Sequence, residues 1–156
     1  MWNVKHLDKI LAEVSNFKKK SPFCPRKNLL TYRLSRMSSQ YRGIVTERMV
    51  RDYYKSIGKR VRYFGGSQSF DMSVNGRRIE VKSAIGRPNS DKTNYTYHFQ
   101  HICANNFDKL VLVFISPEKI HMRIMDSKTV AKYVGAKKKH KSLYVRKKIL
   151  GKVLAA

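Results

Sequence analysis

The sequence predicts a mixed α/β (α+β) domain in which a central mixed β-sheet is flanked by helices. Three observations favour this fold class: apolar residues recur at helical spacing early in the chain, short β-branched runs follow, and one continuous apolar run, KLVLVFIS, lies at 109–116. The chain has 156 residues, enough for one domain with a real core. We divide it into an N-terminal helical extension (1–40), a core (41–134) and a basic C-terminal segment (135–156).

The N-terminal extension begins with a predicted amphipathic helix over about residues 5–18. Its apolar side chains recur at steps of three and four, at Leu7, Ile10, Leu11, Val14 and Phe17. The stretch KKKSPFCP ends this helix with three lysines and two prolines. The following stretch, RKNLLTYRLSRM, is short and basic, and it forms either a second helix or an arm.

A stronger helix is predicted over 43–58 (GIVTERMVRDYYKSIG), starting after Gly43 and stopped by Gly58. Glu47 falls on its apolar face, together with Ile44, Val50, Tyr54 and Ile57. A glutamate in that position is either paired with an arginine at the edge of the apolar stripe or held there for function.

The middle of the chain predicts strands. KRVRYF (59–64), SFDMSV (69–74) and RRIEVKSA (77–84) are short and β-branched, and Asn75-Gly76 favours a two-residue type I′ turn between the last two. NYTYHF (94–99) alternates aromatic residues, and KLVLVFIS is typical of a buried strand. KIHMRIM (119–125) alternates apolar residues and can pair with that strand across Pro117.

The C-terminal part is predicted to start with a helix and to end in a basic tail. DSKTVAKYV has a capping residue at Asp126 or Ser127. The tail after it is a basic helix, an arm or a solvated segment.

The Asn-Gly turn fixes which residues face each other across the hairpin. Asp71 is then expected opposite Glu80, with Lys82 on the same face, while the other face carries Phe70, Met72, Val74, Ile79 and Val81 toward the core. Two carboxylates about 5 Å apart repel by about 3 kcal/mol at an effective dielectric constant of about 20. A favourable cross-strand pair contributes only about 0.2–1 kcal/mol, so a proton, an arginine or a divalent cation must neutralise the acids.

A hard cation fits this pattern. Magnesium is held by one or two carboxylates, here Asp71 and Glu80, with a backbone carbonyl and waters. Lys82 can position a water or stabilise charge on a phosphate, and Glu47 can hold a metal-bound water or a second ion. The alternative for Asp71, Glu80 and Lys82 is an ordinary surface salt bridge beside a turn.

These segments resemble the PD-(D/E)XK nuclease superfamily. The resemblance is carried by SFDMSVNGRRIEVKSA (69–84), preceded by GIVTERMVRDYYKSIGKRVRYFGGS (43–67), and Phe70 stands where the family name has proline. This succession is similar to archaeal-type Holliday junction resolvases, while YHFQHICANNFDKLVLVFIS (97–116) looks more like type II restriction enzymes and their homing-endonuclease relatives.

The resemblance implies a restriction-endonuclease-like core and a Mg²⁺ cofactor, with Mn²⁺ as a possible substitute. The implied catalytic set is Glu47, Asp71, Glu80 and Lys82, and the implied metal set is Asp71, Glu80, Val81 and Glu47. Ser67 would lie in a loop near the scissile strand.

The charge balance indicates a polyanionic partner. There are 34 Lys and Arg residues against 10 Asp and Glu, a formal net charge of +24. The basic residues are spread along the chain and not confined to one amphipathic helix, which favours DNA over a membrane surface. No apolar run approaches the roughly 20 residues of a membrane helix, and no signal peptide is present. We expect a soluble, intracellular protein with no membrane or small-molecule partner, whose Cys24 and Cys103 are free thiols.

Candidate DNA contacts follow from the basic and polar residues around the hairpin. They are Arg60, Arg62, Ser67, Arg77, Arg78, Arg87 and Gln100. Tyr95 and Tyr97 either stack on bases of distorted DNA or fill a sheet face, and His98 and His101 are expected to be neutral surface residues.

The favoured function is a Mg²⁺-dependent endonuclease that cuts double-stranded DNA selectively, as a homodimer or larger symmetric assembly. A Holliday junction resolvase and a non-catalytic nucleic-acid-binding protein are the alternatives.

Overall fold

A computed structural model describes residues 29–89, 94–134 and 141–146 of the chain. Within these ranges the fold is mixed α+β, as predicted. Its three helices are α1 (Leu29–Arg36), α2 (Ser39–Ser56) and α3 (Ser127–Val134). Its eight strands are β1 (Val61–Tyr63), β2 (Met72–Val74), β3 (Arg77–Ile85), β4 (Arg87–Pro88), β5 (Tyr95–Ile102), β6 (Lys109–Ile115), β7 (Ile120–Asp126) and β8 (Lys141–Arg146). The helix expected over 5–18 and Cys24 lie outside the described residues.

The strands form two sheets. The central sheet has five strands in the order β1-β2-β3-β6-β7, and it is mixed because β3 and β6 run parallel while the other neighbours are antiparallel. The second sheet has three antiparallel strands in the order β4-β5-β8. None of the helices in the described ranges is long and apolar enough to cross a membrane.

Strand β6 is the centre of the molecule, because its two faces belong to two different hydrophobic cores. Val111, Val113 and Ile115 pack with buried residues of α1 and α2. Leu110, Leu112 and Phe114 pack with β5, β8 and α3. A strand covered on both faces needs apolar side chains at every position, and this explains the continuous run that predicted a buried strand.

The β2–β3 hairpin has the predicted register around its turn. Asn75 and Gly76 have φ angles of 49° and 81°, as a type I′ turn requires. Met72 is paired with Ile79, and both side chains are buried. Phe70 does not join this core as expected, because the chain has left the strand before Met72; its ring lies 5.3 Å from that of Phe64, edge to face.

Helix α2 begins at Ser39 and not after Gly43 as the sequence suggested. The Ser38 side chain accepts a hydrogen bond from the Tyr41 amide (3.3 Å) and so caps the helix, which leaves Gly43 inside it. Its last helical residue, Ser56, lies close to the predicted stop at Gly58.

Two segments that the sequence left open have defined structures. Part of RKNLLTYRLSRM forms α1, whose Leu34 is fully buried in the first core. Residues 141–146 of the basic segment form β8, which pairs with β5 and buries Val145. Strand β8 was missed because its alternation lies within a lysine-rich run, and only the pairing with β5 gives it a buried face.

Gly86 offers a test of the packing between the two sheets. A Cβ atom at this buried glycine would lie 3.0 Å from ring atoms of Tyr95 and Tyr97. We expect Gly86→Ala to lower the free energy of unfolding by about 1–3 kcal/mol through overpacking. The matched control is Gly43→Ala, whose Cβ would make only an ordinary contact with Glu47 Oε1 (3.9 Å) and which should gain about 0.5–1 kcal/mol of helix stability. Urea denaturation of both variants measures the difference, and equal unfolding midpoints would contradict the described packing.

Candidate active site

Asp71 lies where the chain leaves the β2–β3 ladder. Its amide donates to the Ile79 carbonyl (3.0 Å), although Ile79 is already the register partner of Met72. Two residues opposite one is the arrangement of a β-bulge, so the expected direct pairing of Asp71 with Glu80 is wrong. Instead, Asp71 Oδ2 accepts a hydrogen bond from the Val81 amide (2.7 Å) and takes the place of the next ladder partner.

The Asp71 main chain is held from its other side as well. Its carbonyl accepts a hydrogen bond from the Phe64 amide (3.0 Å), which closes the loop between β1 and β2. Hydrogen bonds with Ile79, Phe64 and Val81 therefore hold the Asp71 carboxylate beside Val81 of β3.

Glu80 and Lys82 lie on the β3 face that looks toward the second sheet. They alternate with Ile79 and Val81, which are buried on the opposite face in the first core. Lys82 Nζ is 2.5 Å from Glu80 Oε1, and the two side chains are 26% and 12% exposed. Most of the surface of both side chains is therefore covered by the protein, and a small part of each contacts solvent.

Glu47 reaches the same place from α2. Its Oε2 accepts a hydrogen bond from the Tyr63 hydroxyl of β1 (2.8 Å). The charges of Asp71, Glu80 and Lys82 all act on the Glu47 carboxyl. The four predicted catalytic residues, which come from a helix, a bulge and a strand, therefore lie within electrostatic range of one another.

The electrostatics of Glu47 and Asp71 are dominated by burial of their carboxyl groups. Burial raises the pKa of Glu47 to about 7, the Asp71 charge adds to the increase, and the hydrogen bond from Tyr63 opposes it. Burial also raises the pKa of Asp71, against the hydrogen bond from Val81 and the charge of Lys82. The carboxylates therefore gain from a nearby cation or a proton.

A cavity of about 360 Å³ adjoins the Glu80–Lys82 pair. Its other lining residues come from the loop before β2, the end of β5 and the segment between β5 and β6: Ser69, His101, Cys103, Asn106 and Phe107. His101 has a φ angle of 56°, in the left-handed region, at an irregularity of β5 between Phe99 and Ile102. His101 is exposed, as the sequence predicted, and it also borders the cavity.

No motif or spacing in the sequence indicates this part of the cavity. Cys103, Asn106 and Phe107 follow no spacing relative to the acids, since the parallel β3–β6 pairing alone brings them together. Cys103 is a buried free thiol, as expected.

The donor set suits magnesium. In the described ranges no group of three or more His, Cys, Asp or Glu side chains is arranged to hold a metal ion. Magnesium, however, usually takes only one or two carboxylates and completes its shell with waters and phosphates. Asp71 and Glu80 would supply the carboxylates, and the Val81 carbonyl would supply a third oxygen. That carbonyl points toward Asp71, since the N–H and C=O of one strand residue share a side and the N–H binds Asp71.

The predicted DNA contacts are dispersed around the site. Arg60 and Arg77 are exposed near the Asn75-Gly76 turn, and Arg87 is exposed on β4. Arg62 lies over the Phe64 ring at 5.2 Å, and the Ser67 hydroxyl donates to the Phe64 carbonyl (2.8 Å).

Two predicted contacts are engaged within the protein. Arg78 forms an ion pair with Asp108 (2.9 Å), and its amide also donates to that carboxylate (2.8 Å). Gln100 Nε2 lies 3.3 Å from His98 Nδ1. Tyr97 is buried and fills the sheet face, so stacking on DNA is excluded for it.

The chain matches no protein family, no curated protein and no solved structure.

The raised pKa of Glu47 predicts a pH-dependent gain in stability for Glu47→Gln. Between pH 4.5 and about 7 the folded state binds more protons at this site than the unfolded chain, so stability falls as pH rises through that window. The glutamine oxygen still accepts the Tyr63 hydrogen bond but carries no charge. We expect a gain of about 1–2 kcal/mol at pH 8, after allowance for solvent screening, and a smaller gain at pH 5.

Thermal unfolding in EDTA at both pH values measures this effect. Glu118→Gln makes the same chemical change at an exposed position and serves as the control. A Glu47→Gln variant that is less stable than wild type at pH 8 would contradict the burial of a strained carboxylate at this site.

Proposed function

We propose that this protein is a Mg²⁺-dependent endodeoxyribonuclease of the PD-(D/E)XK superfamily with a restriction-endonuclease-like core. The observation that carries the proposal is the Glu80–Lys82 pair beside a cavity, with Asp71 bonded to the intervening Val81 and Glu47 within electrostatic range of all three charges. It supports the assignment because four residues from separate parts of the chain meet, in the combination that metal-dependent phosphodiester hydrolysis uses.

A purely structural role accounts poorly for this cluster. The Glu80–Lys82 ion pair alone could be an ordinary salt bridge, but Glu47 and Asp71 add two largely buried carboxyls with raised pKa values. Burying like charges costs stability, and such groups concentrate at functional sites. The chain has only 10 acids against 34 basic residues, yet the charges of two of these acids, Asp71 and Glu80, act on a third, Glu47.

The proposed reaction is direct hydrolysis of a phosphodiester. A water oxygen attacks phosphorus and forms a new P–O bond, and that water releases one proton to solvent. The bridging P–O ester bond breaks, and the leaving oxygen takes up one proton from solvent. When bound by Asp71, Glu80 and the Val81 carbonyl, Mg²⁺ polarises the scissile phosphate and lowers the pKa of a bound water. Mn²⁺ can take its place.

The protein groups hold the reactants in position. The Lys82 ammonium lies beside Glu80, one of the proposed metal ligands. From there it donates a hydrogen bond to the attacking water or to a phosphate oxygen. Glu47 holds a water through its carboxylate, and Tyr63 fixes the orientation of that carboxylate. No covalent intermediate with the protein is formed.

The substrate is double-stranded DNA. A net charge of +24 favours a long polyanion, and Arg60, Arg62, Arg77 and Arg87 supply phosphate contacts near the hairpin. Ser67, Arg78 and Gln100 complete the proposed contact set. Cutting both strands requires two sites, so we propose that the protein acts as a homodimer or a larger symmetric assembly.

Glu80→Gln is expected to abolish nicking of supercoiled plasmid. Loss of the carboxylate removes a ligand of Mg²⁺, whose contribution of several kcal/mol corresponds to a drop of at least about 100-fold in rate. DNA binding in EDTA should be unchanged or tighter, because one negative charge is removed. Glu118→Gln, exposed on the β6–β7 connection, should cut like wild type.

The contrary result is tight binding without cutting. If wild-type protein with Mg²⁺ or Mn²⁺ never cuts plasmid, linear or branched DNA while binding it, the chain is a non-catalytic nucleic-acid-binding protein.

A matched panel of linear duplex, nicked duplex and four-way junction should separate the two nuclease classes. We expect cuts at discrete positions in the duplex, as for a restriction or homing type of enzyme. Symmetric cuts in the junction with an intact duplex would instead identify a Holliday junction resolvase. Gel mapping of end-labelled strands reads both outcomes.

A further inference from the structure

The outward face of the three-stranded sheet carries an exposed aromatic pair. Tyr144 of β8 lies directly across from His98 of β5, and their rings are stacked with centroids 4.1 Å apart and planes within 6°. Tyr144 is 60% exposed. One face of its ring therefore covers His98, and the other is open to solvent.

This tyrosine is not required by the core. The inward face of the same sheet is filled by Tyr97, Phe99 and Val145, which are all buried. Because side chains alternate along a strand, His98 and Tyr144 project away from that core. The exposed ring therefore has no packing function within the described part of the chain.

Polar groups border the ring pair. Gln100 lies on the same face of β5, with its Nε2 3.3 Å from His98 Nδ1. Arg87 of β4 is exposed and faces Thr96, two residues before His98, so it is a diagonal neighbour on the same face. A flat aromatic surface thus lies between an amide and a guanidinium.

Strand β5 connects this surface to the cavity. His101, three residues after His98, lines the cavity together with Glu80 and Lys82. Three residues of strand span about 10 Å. The cavity and the stacked ring pair therefore adjoin the same strand, on opposite faces of the second sheet.

We propose that Tyr144 and His98 form a stacking surface for an unpaired base of single-stranded nucleic acid. In a duplex each base is covered by its neighbours, so only an unpaired or unstacked base offers a free π-face to a protein ring. Such stacking is worth about 1–3 kcal/mol per base and tolerates any base. The net charge of +24 and Arg87 provide the complementary attraction for the backbone.

Base stacking on Tyr144 does not depend on the proposed nuclease function. Its effect on cleavage does rest on that proposed function. As part of the site, it would direct the nuclease toward DNA with unpaired nucleotides next to the cut.

Full-length Tyr144→Ala tests the proposal through binding in EDTA, where no cleavage occurs. Fluorescence anisotropy with labelled dT20, the matching RNA and a 20-bp duplex should show a loss of about 5- to 100-fold for both single strands and less than 2-fold for the duplex. Tyr144→Phe keeps the ring and should remain within 2-fold of wild type. Tyr133→Ala removes another exposed tyrosine, on α3, and should change none of these affinities.

A second measurement reports the stacking directly. An oligonucleotide containing 2-aminopurine should lose fluorescence on binding wild-type protein and Tyr144→Phe, and should lose much less on binding Tyr144→Ala. Unchanged quenching with Tyr144→Ala, or an equal loss of single-strand and duplex affinity, would overturn the proposal and leave a protein partner for this face. Glu80→Gln should keep the quenching, so a failure of the nuclease assignment stays distinguishable from a failure of the stacking surface.

Discussion

The position of β3 between two cores is the constraint on which the candidate site depends. Its parallel pairing with β6 fixes it in the middle of the central sheet. Ile79 and Val81 are buried in the core that β3 shares with α1 and α2. Because side chains alternate along a strand, Glu80 and Lys82 face the second sheet. A charged pair persists on that face because a solvent-connected cavity adjoins it.

The same constraint explains why Asp71 leaves the ladder. A regular strand would place Asp71 across from Glu80, and two enclosed carboxylates would then repel at close range. The bulge instead turns the Asp71 carboxylate toward the Val81 amide, whose hydrogen bond stabilises its charge. The repulsion that the sequence predicted is thus partly relieved by backbone geometry, and the Lys82 ammonium relieves more of it at Glu80.

Local sequence signals predicted the elements whose neighbours are close in the chain. The Asn75-Gly76 turn determined the hairpin register, and the continuous apolar run of β6 indicated a doubly covered strand. The bulge at Asp71 depends on hydrogen bonds with Phe64, Ile79 and Val81, and the start of α2 depends on the cap at Ser38. Apolar periodicity encodes neither feature. Strand β8 and the exposed Tyr144 depend on pairing with a strand some 45 residues earlier, which a basic, lysine-rich pattern hides.

The residues of the candidate site also divide into those that local sequence signals indicate and those that only the folded structure brings near. Its four central residues were predictable because their charges break the apolar patterns of a helix and a hairpin. The residues that line the rest of the cavity were not predictable. They come from the end of β5 and the segment after it, and they approach Glu80 and Lys82 only in the folded protein. Glu47 was only partly predictable. Its position on the apolar face of α2 is visible in the sequence, but its pKa of about 7 results from burial and from the Asp71 charge in the folded protein. Because that carboxyl is poised between its two charge states, a cation binding beside Asp71 favours the ionised form, and cation binding and protonation at the site oppose each other.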